Sequence, residues 1–417
     1  MRVSVIGAGL AGVATAHELV LRGHEVQVFD RRPAVASESS FAPAGLLAPG
    51  LLALGLTPSP GFVSGIASAQ AAWLWQRWRA GRDPRRAARD TSLQALARLG
   101  RGRVQDIATR LRMDVEQASG VTVLCRHERQ TRALRTTLTR LAEAAPPHQW
   151  LDPASLRAQV PALNPKAPLH AALQLTQDGT GNARHYAQLL KDEAQRRGAV
   201  FHLSQSVQAL RTGSTAGAPV LLELAGTPGE ARSALEFDAV VVCTGAAANA
   251  LLQPLACPLP FARAHVHALT AMLSTHDSQW PDSPQGALFD LDTGSVMSRL
   301  GPRLRVTGAA TMGGAAAVVQ DRALRLLYGV LEHWLPGVAQ MRSAQHWKGA
   351  RALVPDGAPV LGAVRGPRVT GVWLNLGHDL HGWPLACGAA VVLAAQIDGD
   401  AAPGLPDLGP LGATRWL

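Results

Sequence analysis

The chain has 417 residues, 47% of them hydrophobic and 17% charged, with a formal net charge of +10. At roughly 150 residues per domain, that length suggests two or three domains around at least one sizeable core. The composition excludes both a disulfide-stapled miniprotein and a disordered chain.

The elements begin with a β-branched run at residues 3–6, a glycine turn at 7–12, a helix over 13–21 and a second strand over 25–29 that ends at Asp30. This is a β-α-β unit. Residues 61–140 read as an inserted helical layer: Asp83-Pro84 sets a capping acid before a first-turn proline, and Val104, Ile107, Ala108 and Leu111 keep a period of 3.6. A helix over 186–197, a strand over 200–203, a polar loop at 213–217 and a buried strand over 239–243 return to the sheet. Short alternating segments between 259 and 308 predict an antiparallel sheet, followed by a helix over 320–334. Strands at 360–361 and 369–376 and a helix over 384–397 follow, and the Pro/Gly-rich tail is expected to be loose. The predicted architecture is α/β. A Rossmann-like domain from residues 1–60, 165–258 and 345–400 interleaves with an α+β substrate domain on an antiparallel sheet, from 61–164 and 259–344, and a loose tail covers 401–417.

No membrane-spanning apolar run of roughly 18 uncharged residues is expected, the longest candidates being broken by Gly, Pro or Arg. The N-terminus lacks the pattern of a signal peptide, so a cytoplasmic protein is expected. Cys125, Cys243, Cys257 and Cys387 form no C-x-x-C pair; they read as small buried hydrophobes, with no metal site expected. Between Ala71 and Ala142 stand sixteen arginines against six acids, so the whole net charge lies in one block. It opens with Trp73-Leu74-Trp75-Gln76-Arg77-Trp78-Arg79 and runs on to Arg89. Such a block suits an anionic membrane surface or phosphates; the alternative is a solvated helical face with its tryptophans turned inward.

Gly7-Ala8-Gly9-Leu10-Ala11-Gly12 is a G-x-G-x-x-G between a strand and a helix, with Asp30 at the end of the next strand. The glycines allow a tight turn and a close backbone approach to a pyrophosphate. The helix N-terminus offers unsatisfied N–H groups, and Asp30 can accept from ribose hydroxyls. The motif itself does not separate FAD from NAD. Its single occurrence disfavours a flavoenzyme with its own bound NAD(P)H, and the small residues Ser37 to Gly45 could run on beneath the pyrophosphate or form an ordinary loop.

In this order of motifs the chain resembles the D-amino acid oxidase superfamily of FAD-dependent oxidoreductases, and within it the bacterial D-amino acid dehydrogenases of the small-subunit type. The likeness rests on the fingerprint, Ser40-Phe41-Ala42-Pro43-Ala44-Gly45, Asp178-Gly179-Thr180-Gly181-Asn182, Val241-Val242-Cys243-Thr244-Gly245, Trp347 to Gly357, and Gly377 to Gly388. It implies a glutathione-reductase-like sheet and a non-covalent FAD held by Gly7, Gly9, Leu10, Ala11, Gly12, Ser39, Ser40, Ala44 and Gly45. The adenine end would lie near Asp30, Arg31 and Val207, with Thr244 and Gly245 by the pyrophosphate. Gly377, His378, Asp379, Leu380, His381 and Gly382 would wrap the ring. Arg351 would fork onto a substrate carboxylate, for which guanidinium geometry suits.

The chain also departs from its relatives. Where they carry Lys-Gly-Tyr-Ser it has His265-Val266-His267-Ala268; Asp379, Leu380 and His381 replace smaller residues; and Arg305 to Thr311 lacks the pattern's acid. His265, His267 and His381 are therefore candidates for handling an amine proton, with wall or loop-shaping roles as the alternative. The implied reaction is oxidation of a D-amino or secondary amino acid to an imine and then a 2-oxo acid, with electrons passing to a respiratory quinone or another acceptor. An oxygen-dependent glycine- or sarcosine-like amine oxidase is the near alternative. An FAD-dependent tRNA-modifying enzyme is a further one, although nucleic acid is an improbable partner because the arginines lack interleaved aromatics beyond the first cluster.

Overall fold

A computed structural model of the chain describes residues 1–417 except 57–61, 64–67, 214, 216, 226–233, 275–285, 313–315, 365, 367–368, 401–403 and 417. Two large sheets organise it. The first has six strands in the order Val360–Ala363, Val372–Leu376, Ala239–Val242, Arg2–Ile6, Glu25–Asp30, Val200–Leu203. All neighbours run parallel except the Val360–Ala363 edge. Its central strands are buried on both faces, as Val3, Val5, Val28 and Val240 to Val242 show, and this accounts for their continuous apolar runs. A three-stranded antiparallel sheet from Val207–Thr212, Val220–Leu224 and Ala234–Phe237 sits beside it.

The second large sheet has ten strands and is mostly antiparallel, with Gln345–Leu353 at one edge followed by Ala262–Met272, Arg303–Met312 and Ser295–Leu300. The helix Ala316–Trp334 packs on one face, where Leu269, Leu304, Val306 and Leu327 form a common core.

The parallel unit and the antiparallel sheet agree with the sequence expectation; three details do not. Ala118–Cys125 is a strand within the large sheet rather than part of a helical layer. Ala171–Thr180 and Gln345–Leu353, assigned by sequence to the cofactor half, belong to the large sheet. The described tail, residues 404–416, is docked rather than loose: Leu408, Leu411 and Ala413 are buried, and Arg415 pairs with the buried Asp356.

The helix Gly382–Ile397 is apolar on every side because it is buried on every side. Asp379–Ile397 is long and apolar enough to cross a bilayer by composition alone, contrary to the sequence expectation, but its most apolar window is 78% buried inside the protein. Two glycines allow its close contact with Arg86–Arg110. A Cβ on Gly100 would stand 1.8 Å from the Pro384 carbonyl oxygen, and one on Gly388 2.2 Å from that of Leu96. The packing fixes where this helix begins, at the rim of the site described next.

Candidate cofactor and substrate site

The glycine turn is built as its chemistry requires. Gly7 has φ +103°, and a Cβ there would lie 2.7 Å from the Cys243 carbonyl oxygen; a Cβ on Gly12 would lie 1.7 Å from the Gly7 carbonyl oxygen. Only glycine allows helix Leu10–Leu21 to sit this close to the strand. Asp30 accepts from the Ala8 amide at 2.6 Å and from the Arg32 amide at 2.7 Å, which locks the end of the second strand to the turn. The Ser40 hydroxyl accepts from the Leu10 amide at 3.2 Å, tying residues 37–45 to the helix N-terminus.

A cavity of about 520 Å³ runs along these elements. It is lined by Asp30, Arg31 and Val207, by Gly7, Gly9, Leu10, Ala11, Ser39, Ser40, Gly45, Thr244 and Gly245, and by Gly377, His378, Asp379, Leu380, Gly382 and Arg351. Of the sequence-predicted cofactor residues, Gly12, Ala44 and His381 do not line it. Gly12 acts through the close helix–strand approach, and the Ala44 carbonyl accepts from the Ser298 hydroxyl at 2.7 Å. His381 is buried at the start of the C-terminal helix, and burial pushes its imidazole down to about 4. The structure thus places His381 outside both this cavity and the neighbouring one that Arg351 also lines.

Strand alternation separates the other two histidines from the face of Arg351. On Ala262–Met272, Ala264 is paired across the ladder with Arg351 and Val266 with Gly349. Ala264, Val266 and Arg351 all line a second cavity of about 790 Å³. His265 and His267, paired with Ala350 and Lys348, alternate to the opposite face, where Arg263 and Ala350 line the first cavity but neither histidine lines either one. Burial, with the adjacent Lys348 charge, pushes His267 down to about 4.

Arg351 is where the family resemblance would put a carboxylate clamp. It lies on the edge strand at the junction of the two cavities, which share Arg351, Asp379 and Leu380. Its Nη1 is 3.5 Å from Asp379 Oδ1. Burial works against both charges, lowering the Arg351 value and raising that of Asp379, and each opposes the other's shift.

A polar chain linking helix Leu10–Leu21 to His378 was not anticipated from sequence. Thr15 donates to the Ala11 carbonyl at 2.7 Å, Asn375 Nδ2 donates to Thr15 at 2.9 Å, and Asn375 Oδ1 lies 2.6 Å from His378 Nε2. The donor directions assign the His378 proton to Nε2, and burial pushes this imidazole down to about 3. Thr15 and Asn375 sit 360 residues apart in the chain, and nothing local in either segment signals the pairing. Arg305, also buried, donates to the Pro43 carbonyl and the Thr270 hydroxyl at 3.1 Å each. It thereby anchors the loop that forms the middle of the cavity wall.

A parallel sheet with this glycine turn, a helix N-terminus at the cavity and the Gly377–Gly382 loop in its wall define a dinucleotide-dependent oxidoreductase. Gly7, Gly9 and Leu10 line the cavity where helix Leu10–Leu21 begins, a backbone and helix N-terminus that suit a pyrophosphate. Residues 2–396 match the FAD dependent oxidoreductase (DAO) family, and the chain belongs to that family: it is an FAD-binding enzyme. It is 31% identical over 426 residues to a D-amino acid dehydrogenase of Cereibacter sphaeroides, covering 96% of this chain and 92% of the relative. To a D-amino acid dehydrogenase of Rhizorhabdus wittichii it is 30% identical, with 96% of each chain covered. Glycine oxidase from Geobacillus kaustophilus shares the fold at TM-score 0.73 and 21% identity, over 100% of this chain and 99% of that one. Iminodiacetate oxidase from Chelativorans sp. BNC1 does so at 0.74 and 19%, over 99% and 98%.

Proposed function

We propose that the protein oxidises a D-amino acid, or a related secondary amino acid, to an imine that water hydrolyses to a 2-oxo acid and ammonia or an amine. Bound FAD supplies the electron-pair acceptor for the hydrogen leaving Cα. The chain's own part is to hold the substrate. The observation that carries the reading is Arg351, a guanidinium lining the cavity beside the Gly377–Leu380 loop with, among the described residues, the 3.5 Å contact to Asp379 as its one ion pair. A forked guanidinium grips a carboxylate and orients Cα. The names of the 30–31% identical relatives support the same substrate class.

The cofactor is read as non-covalent. Cys243, the cysteine in the cavity wall, is pushed by burial up to about 12, which keeps it a thiol, and it lies by the glycine turn rather than at the ring end. Purified protein is expected to carry a dissociable yellow flavin that loses its absorbance on anaerobic addition of at least one member of a panel of D-amino acids, N-methyl amino acids and hydroxyprolines. A panel that leaves the colour untouched throughout would remove the assignment.

Electrons are proposed to leave to a membrane quinone or similar carrier, with the protein docked on the inner face of the cell membrane. The support is the helix Ser68–Ala80. Its Trp73 is buried, but Trp75 and Trp78 are each 57% exposed, so the alternative of tryptophans turned inward holds for one of three. The Arg79 guanidinium lies 5.5 Å from the Trp75 ring centroid and that of Arg82 3.9 Å from Trp78. Amphipathic rings flanked by fixed positive charge suit an anionic headgroup layer. Wild-type protein is expected to co-sediment with phosphatidylglycerol vesicles at low salt and a Trp75→Ala/Trp78→Ala variant to stay in the supernatant. Wild type that ignores the vesicles rules the docking face out.

A further inference from the structure

We propose that Asp379 is the ammonium half of the substrate site, so that Arg351 and Asp379 together form a template for a zwitterion. The substrate carboxylate takes over the Arg351 guanidinium, and the substrate's charged amine takes over the Asp379 carboxylate. This rests on the amino-acid-oxidising reading above and adds which groups the substrate must carry.

Three observations converge on Asp379. The first is the looseness of its contact with Arg351. At 3.5 Å through a single nitrogen, the pair is well outside the roughly 2.7–2.9 Å of a tight charge-assisted bond. Both side chains face the junction of the two cavities and are 12% and 23% exposed there. They neutralise one another without saturating one another, and each keeps hydrogen-bonding capacity for a ligand placed between them.

The second is the backbone. Asp379 has φ +47°, a left-handed conformation that few residues other than glycine adopt and that Asp and Asn tolerate best. It opens the short turn Asp379–His381 that runs into the C-terminal helix. The fold therefore fixes the backbone position from which this carboxylate projects.

The third is the charge around it. Arg351 faces it from the edge strand, and Arg77, on the helix Ser68–Ala80, also favours its ionised form. The imidazoles of His378 and His381 on either side are kept neutral by burial. A cationic corner of this kind would collect any small carboxylate if Asp379 were absent. With Asp379 present, a carboxylate that brings no ammonium sets a second anion against the first and leaves it unpaired. A zwitterion satisfies both partners.

The test uses the flavin-loaded enzyme and two probes. D-alanine is followed by anaerobic loss of flavin absorbance, and propionate, which lacks only the amino group, by its perturbation of the oxidised flavin spectrum. If another amino acid reduces the flavin faster, it and its deaminated counterpart replace the pair. Asp379→Asn keeps the side-chain shape and the backbone preference. It is expected to raise the half-saturating amino-acid concentration about 10- to 100-fold and to lower that of propionate, collapsing the preference between them while flavin content stays constant. Asp379→Gly, which also accepts the left-handed backbone, serves if the Asn variant does not fold. Equal weakening of both probes, as a purely structural role would give, or an unchanged ratio overturns this proposal alone. Failure of every amino acid to reduce the wild-type flavin overturns both it and the reading on which it rests.

Discussion

Methionine in place of Arg351 is expected to raise the amino-acid concentration that half-reduces the flavin by about 30-fold or more, with flavin content unchanged. The estimate follows from truncating one member of a buried charge pair, which costs about 2–5 kcal/mol, about 30-fold to several thousand-fold in affinity. Two effects add in the same direction. The substrate carboxylate loses its fork, and Asp379, which burial already drives upward against the pull of Arg351, is left facing that carboxylate. Flavin content is insulated because the glycine turn, Asp30 and Ser40 hold the other end of the cavity without help from Arg351. Arg351→Lys should fall between the two, since it restores the charge but not the planar fork. Anaerobic titrations of the three proteins with one substrate decide the matter; a methionine variant with the wild-type half-point means the carboxylate binds elsewhere.

The cofactor half of this site was legible in the sequence because its chemistry is local. Gly7, Gly9 and Gly12 fall within six residues, and Asp30 ends the very next strand. The fingerprint reports a turn whose geometry depends on neighbours in the chain. The substrate half depends on which face of a sheet a residue takes, and that is decided by pairing. His265 and His267 stand one residue from Ala264 and Val266, and only the ladder to Gln345–Leu353 reveals that the latter two share a face with Arg351. A one-residue difference reverses the face, which composition cannot resolve. Ala118–Cys125 was hidden in a similar way. Its Val-Thr-Val core is strand-like, but the arginine-rich helices on both sides set the local pattern. Asp379 was legible as part of a ring-wrapping loop, while its side-chain partner lies 28 residues earlier on another element.

The tail shows the same dependence on distant partners at larger energetic scale, and Arg415→Ala is expected to destabilise the fold by about 3–5 kcal/mol, the cost of breaking a buried ion pair by removing one member. Arg415 donates through Nε to Asp356 Oδ2 at 2.8 Å and through Nη2 to the Ala358 and Pro359 carbonyls at 2.9 Å each. The side chains of Arg415 and Asp356 are 7% and 2% exposed. Without the guanidinium, Asp356 keeps the Ala358 amide at 3.1 Å and, for charge, the 3.5 Å contact with Arg89, which is already engaged by Asp83 at 2.7 Å. Leu408 and Leu411 would lose the anchor that holds them against Leu361, Leu385 and Leu393. Asp356 lies three residues beyond the strand that carries Arg351 and lines the second cavity, so the loss should reach the substrate site as well as the melting temperature. Thermal unfolding followed by flavin fluorescence is expected to shift down by several degrees, with Arg415→Lys recovering part of the loss. A transition unmoved by Arg415→Ala would mean that the tail contributes nothing to the folded state in solution, and that residues 354–358 are held by the strand alone.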